Sequence, residues 1–180
     1  VAAAYAVGEV RAFELQQGGR TIGYSWGRYA GAGADNHHRF ETRIELRLPG
    51  RQPVRSAGEL VLDSAGELVL GFERSAAAEL TFARRGDHIE LTDGQRHERI
   101  SYTPKREPTA VMAHSAIFHE ELFLRLRALQ QGDNACRLIS VSGGVPTPWT
   151  ADASVVGDDV IVRTSLGERI ALRDGRVAEI

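Results

Sequence analysis

Residues 39–48 alternate without interruption between charged and uncharged side chains. The uncharged series is Phe40, Thr42, Ile44, Leu46 and Leu48, and the charged series is Arg39, Glu41, Arg43, Glu45 and Arg47. Because successive side chains of a β-strand point to opposite faces, this segment predicts a strand with one buried face and one solvated face of alternating charge. A strand with one wet face is typical of an antiparallel sheet.

Turn signals divide most of the remaining chain into short strands of similar length. Gly18-Gly19 supplies the positive φ that a tight hairpin needs, and Asp63 to Gly66 predicts a turn between two copies of the segment Gly-Glu-Leu-Val-Leu. Besides 39–48, strands are predicted at 8–16, 21–29, 58–62, 66–70, 77–84, 88–92, 96–102, 136–141, 147–156, 159–165, 168–172 and 176–180.

Residues 115–131 predict one substantial helix that ends before Gly132. Its apolar residues form two stripes: Phe118, Leu122, Leu126 and Leu129, then Ile117, Leu124 and Ala128. Two apolar stripes suit a helix that lies in the hollow of a curved sheet. The predicted fold is mainly β and consists of one domain over 1–180. It is a strongly curved antiparallel sheet or open half-barrel, with strands over about 8–102 and 136–180 and the long helix in its hollow.

The charge balance limits the expected partners. The chain has 22 basic and 24 acidic residues, a net charge of −2, so nothing points to nucleic acid as a partner. No apolar run is long enough to span a bilayer as a helix, and no transmembrane segment is expected. Cys136 is the one cysteine, which excludes an intrachain disulfide. No dinucleotide-binding motif is present, and no cofactor is expected.

Aromatic side chains are the main candidates for a ligand-binding surface. Tyr24 and Trp26 share one face of a predicted strand, and Phe13 lies on the neighbouring strand. These residues either fill the core or line an apolar pocket between sheet and helix. The complete set of candidate ligand-binding residues is Phe13, Tyr24, Trp26, Phe118, Leu122 and Trp149.

His114, His119 and Glu120 are the candidates for acid–base catalysis, around the start of the predicted helix. A separation of five positions turns the two histidines about 140° apart on a helix of 3.6 residues per turn, so they do not share a face for a metal. His37 and His38 are adjacent and point to opposite sides just before a strand. No metal centre is therefore predicted.

Three segments carry a resemblance to a known group of proteins: 19–24, 62–68 and 171–177. With their hairpin turns, they resemble bacterial extracytoplasmic domains built on a curved antiparallel sheet. These include the LolA and LolB lipoprotein carriers and related accessory domains that precede transglutaminase-like or α/β-hydrolase modules. The resemblance implies a periplasmic or secreted location, with the cytoplasm as the alternative, and a hydrophobic concavity. It carries no functional residue across, and the carriers commonly have more helix over the opening than this sequence predicts.

Three functions are compatible with these features. The first is a non-catalytic binding or accessory domain that holds an apolar small molecule or lipid between sheet and helix. The second is a small β-barrel enzyme, such as a cyclase, isomerase or hydrolase, that uses His114, His119 or Glu120 in a pocket. The third is an interaction module of a larger hydrolase or transglutaminase-like protein, with a protein partner.

Overall fold

The first eight strands form one sheet in which each strand pairs with the next in antiparallel orientation. A computed structural model describes residues 5–94, 96–101, 109–112, 132–140, 146–164, 169–174 and 176–179. The eight strands are β1 (Val10–Gln17), β2 (Arg20–Ala32), β3 (His38–Leu46), β4 (Val54–Leu62), β5 (Leu68–Ser75), β6 (Glu79–Arg85), β7 (His88–Asp93) and β8 (Arg96–Ser101).

The remaining six strands form a second sheet, in the order β14-β13-β12-β11-β10-β9. Its neighbours are antiparallel except β9 and β10, which run parallel. The six strands are β9 (Thr109–Met112), β10 (Gly132–Ser140), β11 (Pro146–Val156), β12 (Asp159–Thr164), β13 (Arg169–Arg173) and β14 (Arg176–Glu179).

The predicted fold class is wrong in its architecture, although its mainly β character and antiparallel strands are confirmed. The described strands make two sheets, not one curved sheet or half-barrel, and they form no closed barrel. The described residues contain no helix, and the helix predicted at 115–131 lies outside them. Hairpin signals identify adjacent strands but not the point at which a ladder is interrupted, so strand spacing alone did not reveal the second sheet.

Two predicted turns are confirmed by their backbone geometry. Gly18 and Gly19 have φ angles of 57° and 73° and connect the paired residues Gln17 and Arg20. Positive φ at both central residues matches a two-residue type I′ hairpin. In the β4–β5 turn, the Gly66 N–H donates to the carbonyl of Asp63 at 2.9 Å.

A cluster of buried apolar residues lies on one face of the eight-stranded sheet, here called the inner face. On β3, Phe40 and Thr42 are buried there, whereas Arg43 is exposed on the opposite, outer face. This two-sided strand confirms the prediction from residues 39–48. The core cluster consists of Tyr5, Tyr29, Phe40, Leu60, Leu62, Leu68, Phe82, Ile89, Leu91 and Ile100, with Phe13 and Leu80 packed against it.

Close packing on the inner face depends on Gly71. A Cβ atom at this position would lie 2.4 Å from two ring atoms of Phe82 and 2.7 Å from the carbonyl oxygen of Glu59. Because Gly71 has no side chain, the ring of Phe82, its partner on the neighbouring strand, can pack directly against it.

Two polar contacts join the strands at one edge of each sheet. Arg11 of β1 donates from Nη2 to the carbonyl of Val177 in β14 at 2.8 Å, and Arg176 lies 2.9 Å from Oε1 of Glu9. These two contacts link the β1 edge of the first sheet to the β14 edge of the second. The described part of the chain contains no helix that is long and apolar enough to cross a membrane.

Candidate functional site

An open groove of about 640 Å³ lies on the outer face of the eight-stranded sheet, across β2 to β5. We call it the outer groove. The side chains that line it come from outward positions of the four strands, and Ile44, Ser56 and Ser75 alternate with them and border its floor. The outward residues are Tyr24, Trp26, Arg43, Glu45, Arg47, Arg55, Ala57 and Arg74.

Strand register places these side chains in a row. Trp26 of β2 pairs with Arg43 of β3, Arg43 with Ala57 of β4, and Ala57 with Arg74 of β5. Neighbouring strands are about 4.8 Å apart, so Arg43 and Arg74 are separated by roughly 10 Å at the backbone with only a methyl group between them. The row therefore consists of the Trp26 ring, the Arg43 guanidinium, a gap over Ala57 and the Arg74 guanidinium.

The aromatic end of the groove consists of Tyr24 and Trp26, two positions apart on β2. Tyr24 is 57% exposed, while Trp26 is half-buried because the Arg43 guanidinium lies over its ring, 5.1 Å from the ring centroid. A guanidinium at this distance attracts the negative face of an indole and holds the ring in place. The result is a flat apolar surface that stays accessible to solvent.

Arginines dominate the other end of the groove. Arg47 and Arg55 share Glu45, at 2.6 Å and 3.2 Å, while Arg74 pairs with Glu79 at 2.6 Å. Within the described residues, Arg43 makes no ion pair, and its contact is the Trp26 ring. The side chains that line the groove thus carry four guanidiniums against the single carboxylate of Glu45.

The charges of the groove do not change near neutral pH. Hydrogen bonds from Arg47 and then Arg55 hold the pKa of Glu45 below its ordinary value. Guanidinium groups stay protonated in proteins. The lining can therefore attract an anion and stack against a flat apolar group, but its side chains include no group that exchanges a proton at pH 7.

The inner face carries a different polar cluster, at buried positions of the same strands. The Tyr29 hydroxyl lies 2.7 Å from Nδ1 of His38, and the Ser56 hydroxyl lies 2.5 Å from Oε1 of Glu73. Burial lowers the pKa of His38 and raises the pKa of Tyr29, so both groups are neutral at pH 7. The tautomer of the neutral imidazole determines the direction of this hydrogen bond: the phenol donates to a bare Nδ1 and accepts from an Nδ1–H. These contacts satisfy groups inside the core.

The structure divides the predicted ligand-binding residues between two faces. Tyr24 and Trp26 lie in the outer groove, whereas Phe13 pairs with Ser25 and packs against the core on the inner face. A bulge between Leu15 and Gln16 causes this separation. Without the bulge, the pairing of Gln16 with Thr21 would continue so that Phe13 lies opposite Tyr24, on the same face of the sheet. The extra residue of the bulge shifts the register by one and places Phe13 on the other face.

The other sequence-based candidates cannot be placed in this way. Trp149 pairs with Cys136 between β11 and β10, but its side chain is outside the described part. The remaining candidates, for ligand binding and for catalysis, lie outside the described residues: His114, Phe118, His119, Glu120 and Leu122.

His37 and His38 face opposite ways, in agreement with the sequence prediction. His37 lies at the surface, 3.0 Å from Asp35, and His38 is buried against Tyr29. Among the described residues, no three His, Cys, Asp or Glu side chains are grouped so that they would hold a metal ion.

Sequence reasoning missed the arginines of the groove. Arg43 and Arg47 belong to the charged series of residues 39–47, for which the alternation predicts a solvated face. Their role depends on neighbours in other strands: Trp26 on one side of Arg43 and Ala57 on the other. The usable signal is a tryptophan at an outward position of a hairpin strand, since an outward tryptophan needs a partner for its ring.

Comparison with protein-family models, with curated proteins and with solved structures finds no match. The resemblance to extracytoplasmic carrier domains therefore stays a prediction, and the function has to be argued from the outer groove itself.

Proposed function

We propose that this chain is a non-catalytic binding domain that holds a ligand with a flat apolar part in the outer groove. The observation that carries the proposal is the solvent-accessible pair Tyr24 and Trp26, with the Trp26 ring held by Arg43 at 5.1 Å. An exposed aromatic surface that is fixed in advance binds at a low cost in conformational entropy.

The size and the chemistry of the groove support binding over catalysis. A volume of about 640 Å³ is within the range of small-molecule sites. Its charged lining residues are arginines and a carboxylate of lowered pKa, which do not transfer protons at neutral pH. The enzyme alternative depends on His114, His119 and Glu120, which lie outside the described residues. The helix predicted at 115–131, which would cover an apolar pocket, lies outside them too.

A neutral fluorescent amphiphile, N-phenyl-1-naphthylamine, tests the apolar contact. We expect saturable enhancement of its fluorescence with the full chain, and Trp26→Ala should weaken binding at least tenfold. Tenfold corresponds to about 1.4 kcal/mol, which is within the range for truncating an aromatic residue at the centre of a binding site. Arg28→Gln is the matched control. Arg28 lies on the same face of β2, two positions from Trp26, but it pairs with Glu41 and does not line the groove.

A second measurement locates the probe. The chain has two tryptophans, so Trp149→Phe leaves Trp26 as the sole indole emitter. We expect the probe to quench this emission through energy transfer, with the same dissociation constant as its own enhancement. Absence of binding, or binding that Trp26→Ala leaves unchanged, would show that the outer groove is not the site.

A further inference from the structure

We infer that the ligand of the outer groove is an amphiphilic anion, whose acidic group sits over Ala57 between the guanidiniums of Arg43 and Arg74. The inference rests on the proposed function and specifies its ligand class: an apolar body with a carboxylate, sulfonate or phosphate group. The apolar body would lie on Trp26 and Tyr24.

The row of paired residues provides a site for the acidic group, here called the seat, which consists of Ala57 and its neighbours Arg43 and Arg74. Ala57 is exposed and lies between Arg43 and Arg74 in the register, so its methyl group leaves a gap with a guanidinium on each side. The Arg43 guanidinium lies over the Trp26 ring at 5.1 Å, and the Arg74 guanidinium lies 5.9 Å from the Phe72 ring centroid and pairs with Glu79 at 2.6 Å. Because Arg43 and Arg74 flank the gap in the register, an oxyanion over Ala57 could accept N–H donors from both sides.

Charge pairing on the outer face distinguishes the groove from its surroundings. In the next outward pair of residues on β2 and β3, Arg28 binds Glu41 through three contacts of 2.7 to 3.1 Å, so the charge of Arg28 is compensated. Of the four arginines that line the groove, Arg74 pairs with Glu79, and Arg47 and Arg55 share the single carboxylate of Glu45. Arg43 has no carboxylate partner among the described residues. The whole chain has a net charge of −2, so this local positive charge opposes the overall sign.

The distance between ring and seat limits the ligand. Trp26 and Ala57 are separated by two strand spacings, roughly 10 Å, so the apolar body and the acidic group must lie within that length of each other. A monomeric amphiphile satisfies this limit. A flat anionic membrane surface fits less well, because it would also meet the outward carboxylates of Glu14, Glu41 and Glu59 around the groove.

Two probes of similar shape separate the charge from the apolar contact. 1-Anilinonaphthalene-8-sulfonate carries an acidic group, and N-phenyl-1-naphthylamine has the same rings without it. We expect the sulfonate to bind the full chain at least tenfold more tightly. Raising NaCl from 50 to 500 mM should reduce this preference, because salt screens the contribution of the exposed guanidiniums.

Variants of the seat test the assignment to residues. Arg43→Gln with Arg74→Gln should abolish the preference for the sulfonate over the neutral probe. Because Arg43 also holds the Trp26 ring, a second pair of variants keeps every arginine. Ala57→Asp places a carboxylate in the gap and should reduce sulfonate binding at least tenfold. Ala57→Asn, of equal size and neutral, should reduce it much less. Circular dichroism and the unfolding midpoint check that each variant is folded.

The outcomes distinguish this inference from the proposed function. Binding of both probes in the groove with equal affinity, or equal effects of Ala57→Asp and Ala57→Asn, would overturn the acidic seat and keep the apolar site. Binding of the sulfonate alone, sensitive to Ala57→Asp, would support the seat and refute the proposed aromatic contact. Arginine-dependent co-sedimentation with phosphatidylglycerol vesicles, without binding of the monomeric sulfonate, would overturn the inference in favour of a membrane surface.

Discussion

The two faces of the eight-stranded sheet use the same strands and similar residues in different ways. On the inner face, Tyr29 and Phe40 lie 5.0 Å apart at their ring centroids and are closed off from solvent. On the outer face, Tyr24 and Trp26 occupy alternate positions of the same strand as Tyr29, and the Arg43 guanidinium lies over the Trp26 ring. The comparison teaches that partners across the sheet, not aromatic content, determine whether a ring stabilises the fold or stays available to a ligand.

The largest expected effect is the loss of folding stability in Phe40→Ala on the inner face, compared with Trp26→Ala on the outer face. The Phe40 side chain is fully buried, with rings of Tyr5 and Tyr29 within 5.4 Å of its centroid, so its loss leaves a cavity. We expect a loss of about 3–5 kcal/mol in the free energy of unfolding. Trp26→Ala should cost about 1 kcal/mol or less, because its side chain is only half-buried. Urea unfolding of both variants measures the difference, and equal losses would contradict the comparison.

Acid should destabilise the inner face through His38. Burial lowers the pKa of His38 in the folded state, so between that pKa and about 6.5 the unfolded chain binds the proton and the folded chain does not. The contribution of His38 to stability is therefore complete above about pH 6.5 and is lost as pH falls. A single proton limits the slope to about 1.4 kcal/mol per pH unit.

The pH dependence can be assigned with His38→Gln. This variant keeps a group that can accept the Tyr29 hydroxyl hydrogen bond but does not titrate. We expect its stability to change less than that of the wild type between pH 6.5 and 5. His97, which is exposed and contacts Thr92 at 3.2 Å, supplies the control variant His97→Gln. An unchanged slope in His38→Gln would remove His38 as the cause.

The sequence predicts the hairpins well, because each is specified locally by a turn and a period of two. The strand β9 has no such signal: it is four residues long and pairs in parallel with β10, and no tight turn connects parallel strands. The division into two sheets was missed for the same reason. The prediction of the site was limited by register, since the bulge at Leu15 and Gln16 moves Phe13 to the other face, and no local pattern specifies that bulge.

Ser25→Ala tests whether the inner face contains an unsatisfied polar group. Ser25 is fully buried, and its hydroxyl has no hydrogen-bond partner within the described part of the chain. A buried hydroxyl without a partner costs free energy, so replacing it with a methyl group should leave the protein unchanged or stabilise it by up to about 1 kcal/mol. Thr42→Ala, at another buried inner position, should instead destabilise because it also removes a packed methyl group. A marked loss of stability in Ser25→Ala would reveal a hydrogen bond to this hydroxyl.

The smallest effect should be the coupling between Trp26 and Arg43 in folding. A cation–π contact at an exposed site contributes about 0.5–1 kcal/mol, and both side chains are partly solvated. A double-mutant cycle with Trp26→Leu and Arg43→Gln isolates this coupling by urea unfolding. A value below about 1 kcal/mol agrees with a ring that is positioned for a ligand and contributes little to the fold. A coupling above about 2 kcal/mol would mean that the contact between Trp26 and Arg43 mainly stabilises the sheet. The aromatic residues of both faces would then stabilise the fold and differ only in their exposure to solvent.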